Sequence, residues 1–102
     1  MIIYRAYNTE NGKSYIGQTI RTMEERRTCH QRNARNKGFC HLSRALRKYG
    51  LGSFTWEVID TSASDKATLD KLEQYYIDQY DSFDNGYNLT TGGQRGSKKV
   101  RH

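Results

Sequence analysis

Ile2-Ile3-Tyr4-Arg5-Ala6-Tyr7, the polar segment Asn8-Thr9-Glu10-Asn11-Gly12, and Lys13-Ser14-Tyr15-Ile16-Gly17 decide the fold of this chain. The first run is β-branched and aromatic, the composition of a strand. It stops at a segment ending in Asn11-Gly12, a strong hairpin signal because both residues tolerate positive φ. The third run returns as a second strand, so the chain opens with a predicted β-hairpin. Tyr4 and Tyr15, one on each strand, are placed to project from one face as cross-strand neighbours.

Working outward, Thr22 is positioned to cap a helix with Glu24 and Glu25 in its first turn. That helix is predicted to run to about Arg35, carrying Met23, Arg26, Arg27 and His30 at one-face spacing, until Asn36-Lys37-Gly38 breaks it. A short basic helix from His41 to Lys48 follows, with Leu42, Ala45, Leu46 and Tyr49 as its apolar stripe and Gly50 as its stop. Phe54 to Ile59 alternates like a third strand. Ser62 or Ser64 is expected to open a long helix to about Tyr80, with Leu69, Leu72, Tyr76 and Tyr80 along one side. Asp84-Asn85-Gly86-Tyr87-Asn88 reads as a turn, and Gly92-Gly93 onward as a flexible basic tail. The order β-β-α-α-β-α predicts an α+β fold, a small antiparallel sheet with helices packed against it.

With 102 residues the chain is sized for one domain, and with only 34% hydrophobic residues its core must be small. Eight tyrosines among the aromatics supply large buried area with a polar tip. No apolar stretch approaches the roughly 20 residues that span a bilayer. Two cysteines and no targeting segment fit a reducing cytoplasm, which points to a cytoplasmic protein without membrane partners. The formal charge is +6, unevenly distributed. Residues 20–50 hold nine basic side chains against Glu24 and Glu25, whereas residues 51–90 hold eight acids against Lys66 and Lys71. Such segregation is the footprint of a polyanion binder, although solvated basic helix faces would give the same counts.

Four features carry chemistry. Arg26 and His30 are four apart and share a helix face. Tyr4 and Tyr15 share the hairpin. Glu73, four residues from both Leu69 and Ile77, borders the apolar stripe of the last helix. Asn88 sits in a Gly-Tyr-Asn turn suited to fixing a loop. A carboxylate with Arg, His and two phenols in a basic protein suggests metal-assisted phosphodiester hydrolysis. Each part also has a structural reading: half-buried strand tyrosines, a core histidine, a solvated glutamate.

The series Ile3-Tyr4, then Asn11-Gly12-Lys13-Ser14-Tyr15-Ile16-Gly17-Gln18-Thr19, resembles the paired signature of the GIY-YIG nuclease family. The similarity continues in order through Arg26-x-x-x-His30, Ala45-Leu46-x-Lys48-Tyr49-Gly50, Phe54, Leu72-Glu73-x-x-Tyr76-Ile77 and Gly86-Tyr87-Asn88 before Gly92-Gly93. One departure is Ile2, where the family usually has glycine. The resemblance implies a three-stranded antiparallel sheet flanked by helices, with a nuclease domain over residues 1–92 and a flexible tail or linker start over 93–102. It implies that Tyr4 is a candidate general base, that Tyr15 hydrogen-bonds near the water or phosphate, and that Arg26 stabilises the scissile phosphate with His30 beside it. It implies further that Glu73 is the single protein carboxylate on a divalent ion, Mg²⁺ or Mn²⁺, and that Asn88 organises the site. No small-molecule cofactor is implied.

The basic side chains Lys13, Arg27, Arg32, Arg35, Arg44, Arg47 and Lys48 are candidates for DNA contacts. The resemblance is greatest to catalytic domains of phage- or intron-type homing endonucleases, in which a separate C-terminal DNA-binding region follows such a linker. A free-standing restriction- or repair-type nuclease is the alternative within the class, and an inactive basic DNA- or RNA-binding module the alternative outside it. Adjacent Cys29-His30 and Cys40-His41 do not match the spacing of a structural zinc site. Catalysis requires Tyr4, Tyr15, Arg26, His30 and Glu73 to converge on one solvent-open concave surface, with Arg27 pointing elsewhere.

Overall fold

The computed structural model describes residues 1–38 and 40–89. Its centre is the strand Ile2–Asn8 (β1), which pairs antiparallel with Ser14–Thr19 (β2) on one side and Phe54–Asp60 (β3) on the other, giving the order β2-β1-β3. The central strand is the one whose residues are apolar toward both faces: Ile3, Tyr4 and Ala6 are fully buried. Helices Met23–Arg35 (α1) and His41–Tyr49 (α2) cover one face, where Ala34, Leu42 and Leu46 pack with Ala6 and Phe54. Helix Lys66–Gln79 (α3) covers the other, where Leu69 and Ile77 pack on Ile3 and Ile16. A 3₁₀ turn at Leu51–Ser53 leads from α2 into β3. The predicted element order and α+β class are those of the molecule.

Three local expectations are corrected. The hairpin connection is the segment 9–13, one residue later than the expected 8–12, closed by Asn8 N–H to the Lys13 carbonyl at 2.9 Å. Within it only Gly12 takes positive φ (+75°). Asn11 serves instead through its side chain, which accepts from Lys13 N–H at 2.9 Å and donates to the Tyr87 hydroxyl at 3.0 Å. Helix α3 starts later than expected, capped by Asp65, whose Oδ1 accepts from Thr68 N–H at 2.7 Å. Ser62 is unavailable as a cap because both its N–H and its hydroxyl bind Asp60. The buried stripe of α3 runs through Leu69 and Ile77, leaving Tyr80 exposed.

By contrast α1 is capped as expected: the Thr22 hydroxyl accepts from Glu25 N–H at 3.1 Å and the Glu25 carboxylate accepts from Thr22 N–H at 3.2 Å, a full capping box. The 84–88 turn folds back onto the sheet, with Tyr87 N–H bonded to the Ser14 carbonyl at 2.9 Å. Asn88 imitates a strand, its amide oxygen accepting from Ile16 N–H and its amide nitrogen donating to the Ile16 carbonyl, both at 2.8 Å. Among the described residues no helix is long and apolar enough to cross a membrane. The expected tail at 93–102 lies outside the described residues.

Candidate active site

Strand register sets the position of the two tyrosines. Tyr4 stands opposite Gly17, and Tyr15 stands opposite Ala6, so the tyrosines are diagonal neighbours on the α1/α2 face with ring centroids 6.2 Å apart. The Tyr4 ring lies flat across Gly17. A Cβ on residue 17 would sit 2.4 Å from the Tyr4 hydroxyl, which is why glycine is required there. Helix α1 brings His30 over the pair, and its Nε2 is 2.7 Å from the Tyr4 hydroxyl. Arg26, one turn earlier, places Nη2 3.5 Å from the same nitrogen. The Arg26 guanidinium, which can only donate, also hydrogen-bonds the Tyr4 hydroxyl, so that oxygen accepts from Arg26 and its own O–H is directed at His30 Nε2. Trp56 of β3 stacks on the His30 ring at 5.8 Å, and Tyr15 meets it edge-on at 5.2 Å.

Burial decides the protonation states. Enclosure, helped by the Arg26 charge, lowers the His30 pKa to about 4, so the imidazole is neutral near pH 7. Burial also pushes the Tyr4 phenol above its ordinary value, against the pull of Arg26 and of the Tyr15 hydroxyl. Tyr15 is raised for the same first reason, with the charges of Tyr4 and Glu73 adding to it. Tyr4 is therefore a neutral hydroxyl donating into a neutral imidazole. Arg26 Nε is buried without a hydrogen-bond partner among the described residues, although the guanidinium is partly exposed. An unpaired donor of this kind is suited to an incoming anion.

Glu73 reaches the site from the other side. Helix α3 packs on the sheet face opposite α1, and the Glu73 carboxylate is held at the β2 edge by Gln18, whose Nε2 donates to Glu73 at 2.9 Å and to Asp70 at 2.8 Å. Asp70 also pairs with Lys66. The charge of Glu73 nonetheless acts on both Tyr4 and Tyr15. The expectation of one open concave surface is corrected accordingly. Tyr4, Tyr15, Arg26 and His30 share one face, with Tyr4 fully buried beneath the others, whereas Glu73 lies across the sheet, held at the β2 edge by Gln18. Asn88 fixes β2 from outside through Ile16.

Arg27 points elsewhere, as its helix position requires, pairing with Glu24 at 2.6 Å. Arg32 lies beside Arg21, Glu24 and Glu25 on the outer side of α1, and Arg35 is exposed at its end. Arg47 is engaged structurally: its Nη1 donates to the Ala34 and Gly38 carbonyls and ties α2 to the end of α1. Lys13, Arg44 and Lys48 are grouped around one groove.

Three residues of the site escape the sequence reading. Trp56 could have been found from the alternation that places Phe54, Trp56 and Val58 on the tyrosine face. Asp70 stands three residues before Glu73 on the same helix face. Gln18 had no local signal, since its role depends on a helix more than fifty residues away.

For a divalent ion the donor set is narrow. Among the described residues no three His, Cys, Asp or Glu side chains are gathered as a metal cluster. Glu73 with Asp70 beside it matches the one or two carboxylates with which Mg²⁺ is held when waters and phosphate oxygens complete its shell.

Residues 1–88 match the GIY-YIG catalytic domain. The uncharacterized protein 019R of Invertebrate iridescent virus 6 is 34% identical over 89 residues, which are 84% of this chain and 32% of that protein. The chain thus spans about a third of the length of that curated relative. The catalytic domain of homing endonuclease I-TevI superposes with a TM-score of 0.77 at 26% identity, covering 86% of this chain and 96% of that one. A mutant of the same intron endonuclease domain superposes with a TM-score of 0.79 at 25% identity, covering 88% and 93%. A family pattern running from Met1 through Asn88, on a fold shared with a homing-endonuclease domain and with the Tyr4–His30–Arg26 cluster at its centre, identifies this chain as a member of the GIY-YIG family carrying its nuclease domain.

Proposed function

We propose that the chain hydrolyses phosphodiester bonds of DNA as a divalent-metal-dependent endonuclease, and that it is the catalytic part of an intracellular homing-type enzyme. The observation that carries this reading is the hydrogen bond from the Tyr4 hydroxyl to a neutral His30, roofed by Arg26. Arg26 binds the scissile phosphate through its planar fork, satisfying its unpaired Nε. Its movement onto the phosphate uncovers the Tyr4 hydroxyl for the attacking water. Water adds to phosphorus while its proton passes to Tyr4 and the Tyr4 proton passes to His30 Nε2; the bridging P–O bond breaks and solvent protonates the departing oxygen. Tyr15 borders this path and hydrogen-bonds the water or a phosphate oxygen. Glu73, with Asp70 adjacent, would hold Mg²⁺ or Mn²⁺, which when bound supplies Lewis-acid stabilisation of phosphate charge. Asn88 keeps β2 in register beneath the tyrosines.

Plasmid nicking tests the reading. The chain is expected to nick DNA with Mg²⁺ or Mn²⁺ and not with chelator. Glu73→Gln is expected to abolish cleavage while retaining fold and DNA binding. Full activity of that variant would remove Glu73 from the mechanism, and wild-type protein that shifts DNA but never cuts it would establish the inactive basic binder.

A further inference from the structure

Beside the active site, the hairpin loop, the 86–87 turn and the outer side of α2 enclose a groove of about 330 Å³. Lys13, His41, Arg44 and Lys48 line it, and no carboxylate does. Among the described residues Lys13, Arg44 and Lys48 form no ion pair, whereas Arg21 and Arg27, on the outer side of α1, are answered by Glu25 and Glu24. The interior of the groove is different in kind: Ala45, Tyr49 and Tyr87 present apolar and aromatic surface. Tyr49 packs only partly into the core, with the Lys48 ammonium over its ring at 5.3 Å. Unmatched positive charge around an aromatic floor takes a ligand that is anionic at one end and flat and apolar at the other. A duplex presents its phosphates with the bases stacked away inside, so it satisfies the rim and not the floor. An unpaired nucleotide satisfies both.

The groove also adjoins the chemistry. Lys13 is two residues from Tyr15, a span of at most about 7 Å. Tyr87 is hydrogen-bonded to Ser14, between them. We propose that this groove is a nucleotide subsite of the nuclease, receiving one unpaired nucleotide next to the scissile phosphate. Lys13, Arg44 and Lys48 hold its phosphate and Tyr49 receives its base. The proposal rests on the nuclease reading and adds that substrates with an unpaired nucleotide near the cut, such as single strands, flaps or a locally opened duplex, are favoured over fully paired DNA.

Fluorescence anisotropy in the presence of chelator tests it, using the full chain with a labelled eight-nucleotide oligothymidylate and, separately, a labelled hairpin whose loop is a non-nucleotide linker, so that every base is paired. Wild-type protein is expected to bind the single strand more tightly than the hairpin. Tyr49→Leu, which keeps an apolar side chain against the core, is expected to weaken single-strand binding about 5- to 150-fold, the range set by one base–aromatic stack. It should change hairpin binding little. Arg44→Glu lies on an exposed helix position and is expected to weaken single-strand binding without altering the unfolding midpoint, so the test survives if Tyr49→Leu fails to fold. Equal wild-type affinity for both DNAs, or equal losses on both in the variants, would make the groove a general phosphate track and overturn the proposal. No effect of either substitution would overturn it too. Cleavage with Mg²⁺ of the hairpin or of a flapped duplex alongside either result would leave the nuclease reading standing, and wild-type protein that cuts none of the single strand, the flapped duplex and the hairpin would fault that reading instead.

Discussion

His30 is held neutral by burial beside a permanent cation, and this has a measurable consequence for stability. Its pKa falls from 6.5 to about 4 on folding, so as the pH drops the unfolded chain takes up the proton first. The associated stability is complete above about pH 6.5 and is lost as the pH falls toward 4, a change of about 3 kcal/mol. Urea unfolding at pH 7 and pH 4.5 is expected to show that decline, and His30→Gln, which titrates nothing, to flatten it. Gln18 offers a second test at this scale. Its amide gives one hydrogen to each of two carboxylates that otherwise repel on one helix face. Gln18→Ala is therefore expected to leave the fold intact and weaken Mn²⁺ binding severalfold by calorimetry. Unchanged affinity would make Gln18 a packing residue only. Among single residues the clustering of Tyr4, Tyr15, Arg26 and His30 was legible, because strand pairing and a four-residue helix step carry it. It missed Gln18 and Trp56 because their roles arise from contacts across the sheet.

The hairpin is the element on which the site depends. Tyr4 and Tyr15 are diagonal rather than opposed, and the empty place above Gly17 is filled by the Tyr4 ring. Gly17→Ala is expected to cost about 1–3 kcal/mol through overpacking. The displaced Tyr4 would open the His30 pocket, so the NMR titration of His30 should move up toward 6.5. An unmoved titration would mean the ring has other room. Thr22→Ala serves as the contrasting case at a helix end: losing the capping box should cost about 1 kcal/mol and leave that titration unchanged. The hairpin, the α1 cap and the α2 boundaries were legible because each is specified by neighbours within four residues. The start of α3 was not. Ser62, Ser64 and Asp65 are all capping residues by type, and the choice among them is made by Asp60, a strand residue that takes Ser62 for itself.

At the scale of the molecule, charge and topology act together. Basic side chains gather on α1 and α2, and acids on β3 and α3, so the helix pair over one sheet face carries most of the positive charge. Each phosphate neutralised contributes roughly −0.9 to the slope of log affinity against log salt. Binding should therefore weaken steeply from low to moderate salt with little sequence preference, and a salt-independent affinity would reduce the basic side to a solubilising surface. The position of Glu73 belongs to this scale as well. No local period foretells that its helix lies on the sheet face opposite α1, with the carboxylate held by Gln18 at the edge strand β2. That edge strand has exposed peptide groups in any three-stranded sheet, and Asn88 occupies those of Ile16 with its own amide. An open edge is a template on which a second chain can add a strand. The Asn88 side chain thus acts as a stopper against self-association: Asn88→Ala, or clipping before residue 88, is expected to scatter more light on standing than the unaltered chain.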